Sequence, residues 1–422
     1  MFASIDGRQR HNISETAQIP LPSPRVSDPT PNFFRVLTDG VGLPAPHSRL
    51  DALNERGRGM KIPSMTPPVG LVNAVQRGRH HLSRLHSALV PAQVAMTELV
   101  VGAWFAQGVS VAADLRIADA LAEGPLGLDE LAERVGANPD ALGRLLRALI
   151  SRGIFRRRRD GRYDLTPLAR TLRWDAPDSM AAFARFVGSP QEREHWSHYI
   201  DAVRTGEAVV PKLRGMEGFD WLETQRELSD VFNAAMTNIS ELAAGAVTAA
   251  YDFAGYRTIV DVAGGHGRLL AAILAATPSA TGVLFDLPHV VAGAGPLLRK
   301  HGVAERVRIV EGSFFDAVPD GGDLYVLKNI IHDWPDDKAG QILKTLRAAM
   351  RTGTAVALAE CVIPPHDRDF LAKTTDLEML IYNEGRERTG DEYRDLLQRA
   401  GFHMTRIVAT ASPLSIVEAN AA

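Results

Sequence analysis

The residues whose types and spacing most clearly suit chemistry form a glycine-rich run, Val260-Asp261-Val262-Ala263-Gly264-Gly265-His266-Gly267. It closes an apolar stretch and opens a helical one. Glycines at such a turn let the backbone approach a ligand closely, and the helix start beyond it offers unpaired N–H groups. A carboxylate, Asp286 in Phe285-Asp286-Leu287-Pro288, follows 21 residues after Gly265, about where a ribose-binding acid stands. Two cofactor chemistries fit. A dinucleotide fingerprint needs glycine or alanine at 270, where Leu270 stands. S-adenosylmethionine needs no pyrophosphate cradle, only a close turn at its amino-acid end and a carboxylate on its ribose. A tight βα turn without any ligand uses the same residues.

Other reactive types are sparse. His332-Asp333-Trp334, taken alone, reads equally as a capped helix start and as a catalytic base. His195 and His198 stand at helical i, i+3 spacing, but no third ligand sits at a telling offset, so they read as cleft lining or surface. Cys361 is the only cysteine, which excludes an intramolecular disulfide framework and a multi-cysteine zinc site. In its apolar run it reads as a small packed hydrophobe. Neither a G-x-S-x-G elbow nor a P-loop occurs.

The elements that must hold these residues fall into two patterns. Leu128 to Val135 is a short amphipathic helix. Asn138 caps a second, with Pro139 at its first position and Leu142, Leu145, Leu146, Leu149 and Ile150 on one face. Ile154–Arg158 and Arg162–Leu165 read as strands joined through Asp160-Gly161, a hairpin signal. Helix, turn, helix and hairpin make a winged helix, preceded by apolar helices over Ala92 to Leu121. From Tyr251 onward, short apolar runs (Thr258–Val262, Thr281–Phe285, Val307–Val310, Leu324–Leu327, Ala355–Ala359) alternate with helical stretches. That alternation indicates an α/β, Rossmann-like, doubly wound parallel sheet covered on both faces. The expected domains are therefore 1–75, a proline-rich extension without structure of its own, with Met60 or Met65 as alternative starts; 76–185, a helical winged-helix domain; and 186–422, a cofactor-binding domain whose 190–250 part is helical and lines the cleft. Order is expected from about Leu82, and His80, His81 and His86 are expected in a mobile basic stretch.

Six motifs occur in order: Asp261-Val262-Ala263-Gly264-Gly265-His266-Gly267, Phe285-Asp286-Leu287-Pro288, Gly312-Ser313-Phe314-Phe315, Leu327-Lys328-Asn329-Ile330-Ile331-His332-Asp333-Trp334, Ala359-Glu360-Cys361-Val362-Ile363-Pro364 and Gly385-Arg386-Glu387-Arg388-Thr389. Over roughly residues 95–420 the chain resembles the S-adenosylmethionine-dependent O-methyltransferases of the caffeic-acid and hydroxyneurosporene type. The resemblance implies that the winged-helix part is a dimerisation domain and the protein a homodimer. It implies that Gly264, Gly265 and Gly267 hold the methionine moiety of S-adenosyl-L-methionine, with Asp261 and Leu287 among the cofactor contacts. Asp286 would bond the ribose, Ser313 and Phe314 flank the adenine, and Lys328 lie on the cofactor side. The family usually carries Asp where Ser313 stands; serine accepts a hydrogen bond without charge, and charged bonds are roughly twice as strong. His332 matches the general base, with Glu360 and Glu387 beside it. Trp196, Phe232, Met236, Asp333, Met379, Tyr382 and Asn383 are the candidate acceptor pocket, with Asp333 shaping the loop.

The residue types suit that reaction. A phenol, with a pKa of about 10, is a poor nucleophile until deprotonated, and histidine, near 6.5, can take its proton at neutral pH. A carboxylate on the far imidazole nitrogen fixes the tautomer and stabilises the imidazolium. The expected reaction is methyl transfer to a hydroxyl of a phenolic, polyketide or isoprenoid metabolite. The alternatives are a winged-helix transcription regulator with a ligand-sensing methyltransferase-like domain, or a cofactor-binding relative with non-methylating chemistry.

Composition bounds the rest. The 422 residues carry 47 Lys+Arg against 50 Asp+Glu, a formal net charge of -3, with 45% hydrophobic residues. That is ample for a core and excludes a wholly polycationic surface. The wing is locally basic, with 11 Arg against 6 acidic residues between Leu128 and Arg173. Part of such a run is simply solvated, so no nucleic-acid partner is expected. With no run of about 18 uncharged apolar residues and no signal-like start, a cytoplasmic location without membrane contact is expected.

Overall fold

The computed structural model describes residues 66–422, which lie within one compact unit, Ser64–Ala422. Most of the expected proline-rich extension, with Met60 and Met65, lies outside the described residues. Its last part does not stay irregular: helix α1, Val69–Ala88, starts well before Leu82 and contains His80, His81 and His86. His80 Nδ1 accepts a 3.4 Å hydrogen bond from the Asp369 backbone. Leu71, Val75, Leu82 and Leu85 recur at helical spacing, yet all four are exposed and no residue of α1 is buried. Helix α2, Ala92–Asp114, is similar: Met96, Leu99, Val100 and Trp104 are exposed. Although Glu98 interrupts its uncharged run, α2 is long and apolar enough by length and composition to cross a membrane. The two helices together carry an apolar face that the described chain does not cover.

The winged helix forms as its residues dictate. After α3, Leu128–Arg134, the Asn138 side chain accepts from Ala141 N at 3.1 Å and starts α4, Pro139–Ser151. Leu142, Leu146 and Leu149 of α4 are buried. Strands β1, Phe155–Arg157, and β2, Tyr163–Leu165, pair antiparallel with Phe155 opposite Leu165. The wing's arginines are engaged locally: Arg156 meets Asp164 at 2.6 Å, and Arg162 meets Asp160 at 2.8 Å.

Helices α5, Ala181–Val187, α6, Pro190–Ser197, and α7, Gly218–Thr224, lead into the long helix α8, Arg226–Ala250. The sheet then builds from β3, Thr258–Val262, α9, Arg268–Ala276, β4, Thr281–Asp286, β5, Val307–Glu311, β6, Leu324–Lys328, α10, Asp336–Ala349, and β7, Ala355–Glu360. Helices α11, Ala372–Asn383, and α12, Gly390–Arg399, precede β8, Phe402–Ala409, and β9, Ser415–Ala421. Strand order is β5-β4-β3-β6-β7-β9-β8. The five runs read from the sequence are all parallel neighbours. The sheet is nevertheless mixed, because β9 enters antiparallel between β7 and β8. Ile416, Val417, Ala419 and Ala421 are the buried residues of β9, and the two alanines among them are weak strand formers.

The order reverses at β3, which pairs with β4 on one side and β6 on the other. Ligands of such sheets bind outside the carboxyl ends of the strands at that switch point. The glycine turn follows β3, Asp286 ends β4, and the His332 loop follows β6, so all three converge there.

Candidate active site

The glycine turn is shaped by what lies beneath it. A Cβ on Gly264 would stand 2.6 Å from the Asp261 carboxyl and from Leu284 Cδ1, so only glycine lets the turn close. Asp286 accepts from Gly265 N at 2.8 Å through one oxygen and from Leu287 N at 2.7 Å through the other. Its carboxyl is thereby fixed against the turn; burial holds its pKa above the usual carboxylate range despite those bonds. Gly267 caps α9.

Asp261 is the buried acid of the cradle. It is 1% exposed, its Oδ2 has no hydrogen-bond partner, and burial pushes its pKa up to about 7 against the opposing pull of Lys328. Lys328, at the end of β6, is held below the usual lysine range by burial, which outweighs Asp261, Glu360 and Asp333. An orphaned acceptor and a turn with no room for a side chain fit a polar, cationic ligand lying against β3. On the β5 side, Ser313 Oγ accepts from Phe315 N at 3.2 Å, and Phe314 packs edge-on against Phe315 and Trp334.

His332 sits in a 3₁₀ turn, Ile331–Asp333, between β6 and α10. Its Nδ1 meets Glu387 Oε1 at 2.9 Å, and its Nε2 lies 3.3 Å from Asp333 Oδ1. Glu387 also accepts from Thr375 Oγ1 at 2.9 Å, and its backbone N–H donates to Asp376 at 2.8 Å. Glu360 does a different task from the one expected. It accepts from Ile330 N at 3.1 Å and Ile331 N at 2.9 Å, so it holds the backbone of the turn, not the imidazole. Glu360 Oε2 and Glu387 Oε2 are buried without partners. One ring nitrogen of His332 and one carboxylate oxygen each of Glu360 and Glu387 lie within 4.8 Å of one another.

This crowding sets the protonation. Burial lowers the His332 pKa, but Asp333, the Glu387 hydrogen bond and Glu360 together outweigh it and raise the group to about 10. Burial raises Glu360 to about 7 and Asp333 to about 6, with the His332 charge opposing both. The described site thus favours an imidazolium at neutral pH.

The expected acceptor pocket is only partly assembled. A cavity of about 330 Å³ is lined by Phe219, Phe315, Trp334, Lys338, Glu217 and Asn383. Of the expected pocket residues, Asn383 alone lines it, with its Oδ1 accepting from Gly218 N at 2.9 Å. Phe232 packs edge-on against Phe186 and near Phe219, and Met236 and Tyr382 belong to the same apolar cluster. Met379 is half-buried on α11, and Asp333 faces His332. Trp196 donates to Glu378 at 2.8 Å. His195 is fully buried against Trp221 while the His198 side chain is half exposed, so the two do not form a metal pair. Cys361 is buried, and burial holds its thiol well above the usual range. Thr375 and Asp376 of α11 and Phe219 of α7 carry no signal in their spacing, whereas Arg388 stands inside the sixth motif and gains its place only from its burial and hydrogen bonds.

A glycine cradle at the switch point, an acid closing the neighbouring strand and a buried histidine after β6 define a methyltransferase-type nucleotide fold joined to a winged-helix domain. Comparison agrees. Family models match at residues 196–403, an O-methyltransferase domain, and 97–173, an O-methyltransferase dimerisation domain. The phenazine O-methyltransferase of Lysobacter antibioticus is 40% identical over 330 residues, 78% of this chain and 96% of that protein. The crystal structure of LaPhzM is 40% identical with a TM-score of 0.76, covering 79% of this chain and all of that one. The O-demethylpuromycin O-methyltransferase of Streptomyces alboniger is 38% identical over 79% of this chain and 90% of its own length. Human N-acetylserotonin methyltransferase in complex with S-adenosylmethionine is 27% identical with a TM-score of 0.73, covering 78% and 98%. The chain belongs to the S-adenosylmethionine-dependent O-methyltransferase family.

Asp333 is the largest of the charges that raise His332. Asp333→Asn should therefore lower the His332 titration midpoint, read from its ring-carbon resonance by NMR. A midpoint that does not move would remove Asp333 from the electrostatics of the site.

Proposed function

We propose that the protein methylates a hydroxyl on an aromatic secondary metabolite, with His332 as the general base. The observation that carries this reading is the hydrogen bond from the His332 ring to Glu387, which fixes Nδ1 as the protonated nitrogen and leaves Nε2 for proton transfer. In that arrangement Glu387 orients the ring and stabilises its charged form. Glu360 keeps the turn, and hence the ring, at a set height above the sheet.

S-adenosylmethionine, when bound, supplies a methyl group already activated for transfer. The residues that would hold it are Gly264, Gly265 and Gly267 with Asp261 at the amino-acid end, Asp286 and Leu287 at the ribose, Ser313 and Phe314 at the adenine, and Lys328 on the β6 side. The chain's own part is to orient the acceptor and take its proton. An acceptor hydroxyl reaching Nε2 takes the place Asp333 now holds. Because neighbouring carboxylates favour the imidazolium, the base form of His332 grows as pH rises through the alkaline range. The rings of Phe219, Phe315 and Trp334 around the cavity suit a flat acceptor, and the relatives named for a phenazine and for O-demethylpuromycin support a natural-product one.

We further propose a homodimer, supported by the dimerisation-domain match and by the exposed apolar face of α1 and α2. An uncovered apolar surface of this kind favours association.

Three experiments test these readings. His332→Ala should leave S-adenosylhomocysteine affinity intact while cutting turnover of a responsive phenol by roughly 10²–10⁴; parental turnover would sink the base assignment. Asp286→Ala should weaken cofactor binding at least tenfold by calorimetry (about 1.4 kcal/mol), and unchanged affinity would take Asp286 out of the site. Leu99, 71% exposed on α2, should become a liability when charged. Leu99→Asp is expected to run as a monomer in light scattering beside a dimeric parent, whereas an unaltered mass would contradict the interface.

A further inference from the structure

We infer that Arg388 is a positioning residue for the reaction: its guanidinium sets the turn that carries His332. The side chain is 1% exposed and is the largest fully buried one among the described residues. All three of its nitrogens are used, and their bonds concentrate on this turn. Nη1 donates to Ile331 O at 2.8 Å and to Arg386 O at 3.3 Å. Nη2 donates to Trp334 O at 2.9 Å, and both Nη2 and Nε reach Asp336 Oδ1, at 2.9 and 3.1 Å. Ile331 and Trp334 are the residues immediately before and after His332-Asp333. The guanidinium therefore brackets the base from below and ties the bracket to Asp336, the first residue of α10.

The same segment grips the turn at other points. Arg386 N donates to His332 O at 2.8 Å. A Cβ on Gly385 would stand 2.4 Å from His332 O, so this position must stay glycine for the two backbones to touch. Arg388 O accepts from Ile363 N at 2.9 Å, which fixes the arginine's own backbone beside the chain leaving β7. Glu387, between Arg386 and Arg388, meets the imidazole itself. If the guanidinium is lost, two carbonyls flanking the base lose their donors, and unpaired buried groups drive local rearrangement. The planar fork matters as well as the charge. A lysine ammonium offers its donors from one nitrogen and cannot serve the carbonyls and carboxylate that three nitrogens now serve.

This inference rests on His332 as the base, but its test does not need methyl transfer. His332 is faced by Asp333 on its own turn, Glu387 on the 385–388 segment and Glu360 from β7. Its titration therefore reports how closely those groups are held. The full chain, histidine-labelled and saturated with S-adenosylhomocysteine, would be titrated by NMR, with the His332 signal identified by its loss in His332→Gln. In the parent, the midpoint should stand above the ordinary histidine value. In Arg388→Lys it should fall by about one pH unit or more, a tenfold change in proton affinity, while ligand affinity stays within about threefold of the parent. A role confined to global stability would lower the melting temperature and leave the midpoint in place, which would overturn the inference. Should Arg388→Lys not fold, Asp336→Asn decides. Its carboxylate is not among the groups that shift His332, so a fall in the midpoint would report geometry, and an unmoved midpoint would overturn the proposal. Full activity in His332→Ala alongside a shifted midpoint in Arg388→Lys would remove the base reading and leave the positioning of the imidazole standing.

Discussion

The His332–Glu387 hydrogen bond joins two segments that sequence separates by 55 residues, and the rest of the site depends on it. One partner rides on a short 3₁₀ turn after β6; the other lies in a loop between α11 and α12. Neither is held by regular secondary structure of its own. The turn is instead pinned through its peptide groups, by Glu360 at Ile330 and Ile331 and by Arg386 at His332. The loop is pinned by Thr375 and Asp376 of α11. Burial makes these bonds consequential, since each unpaired group would carry its full desolvation cost. Two carboxylate oxygens, Glu360 Oε2 and Glu387 Oε2, are buried there without partners.

The sheet explains why these pieces meet. β3 lies between β4 and β6, so the loops leaving their carboxyl ends open on one crevice. The glycine turn and Asp286 occupy one side of it, His332 and the aromatic rings the other. Lys328 stands between the two, under opposing influence from burial and from Asp261, Glu360 and Asp333. Lys328 thus feels the carboxylates of both groups, Asp261 beneath the glycine turn and Asp333 and Glu360 around His332.

Much of this was legible in the sequence, for identifiable reasons. Asn138-Pro139 and Asp160-Gly161 act within a few residues of themselves, so the winged helix followed from local chemistry alone. Four of the five parallel strands, β3, β4, β6 and β7, are largely buried and read as plain apolar runs, whereas the edge strand β5 is partly exposed and is marked only by Val307, Ile309 and Val310. The terminal hairpin was not legible because in β9 the two β-branched residues, Ile416 and Val417, are followed by Ala419 and Ala421, which pack well without advertising a strand. Helix α1 was missed for the opposite reason: its leucines lie at helical spacing but among arginines and histidines, and nothing in the described chain covers them. His332, Glu360 and Glu387 were found through ordered motifs, yet Glu360's hold on the backbone is a three-dimensional fact that no spacing encodes. Arg388 stood inside a recognised motif without a role for the same reason. Of the expected pocket residues only Asn383 lines the cavity; Phe219, which also lines it, carries no sequence signal beyond being aromatic, and Phe315 stands in an ordered motif that gives it no pocket role.

The central claim is that His332 removes the acceptor's proton, and it is tested most directly by varying how much the proton needs removing. Turnover of the parent and of His332→Ala would be compared across phenols of graded acidity at one pH. If the histidine is the base, the ratio of the two rates should be large for a phenol of pKa about 10 and shrink toward one for phenols already ionised at the working pH. A ratio that stays constant across the series would mean that His332 serves the site in some way other than accepting that proton.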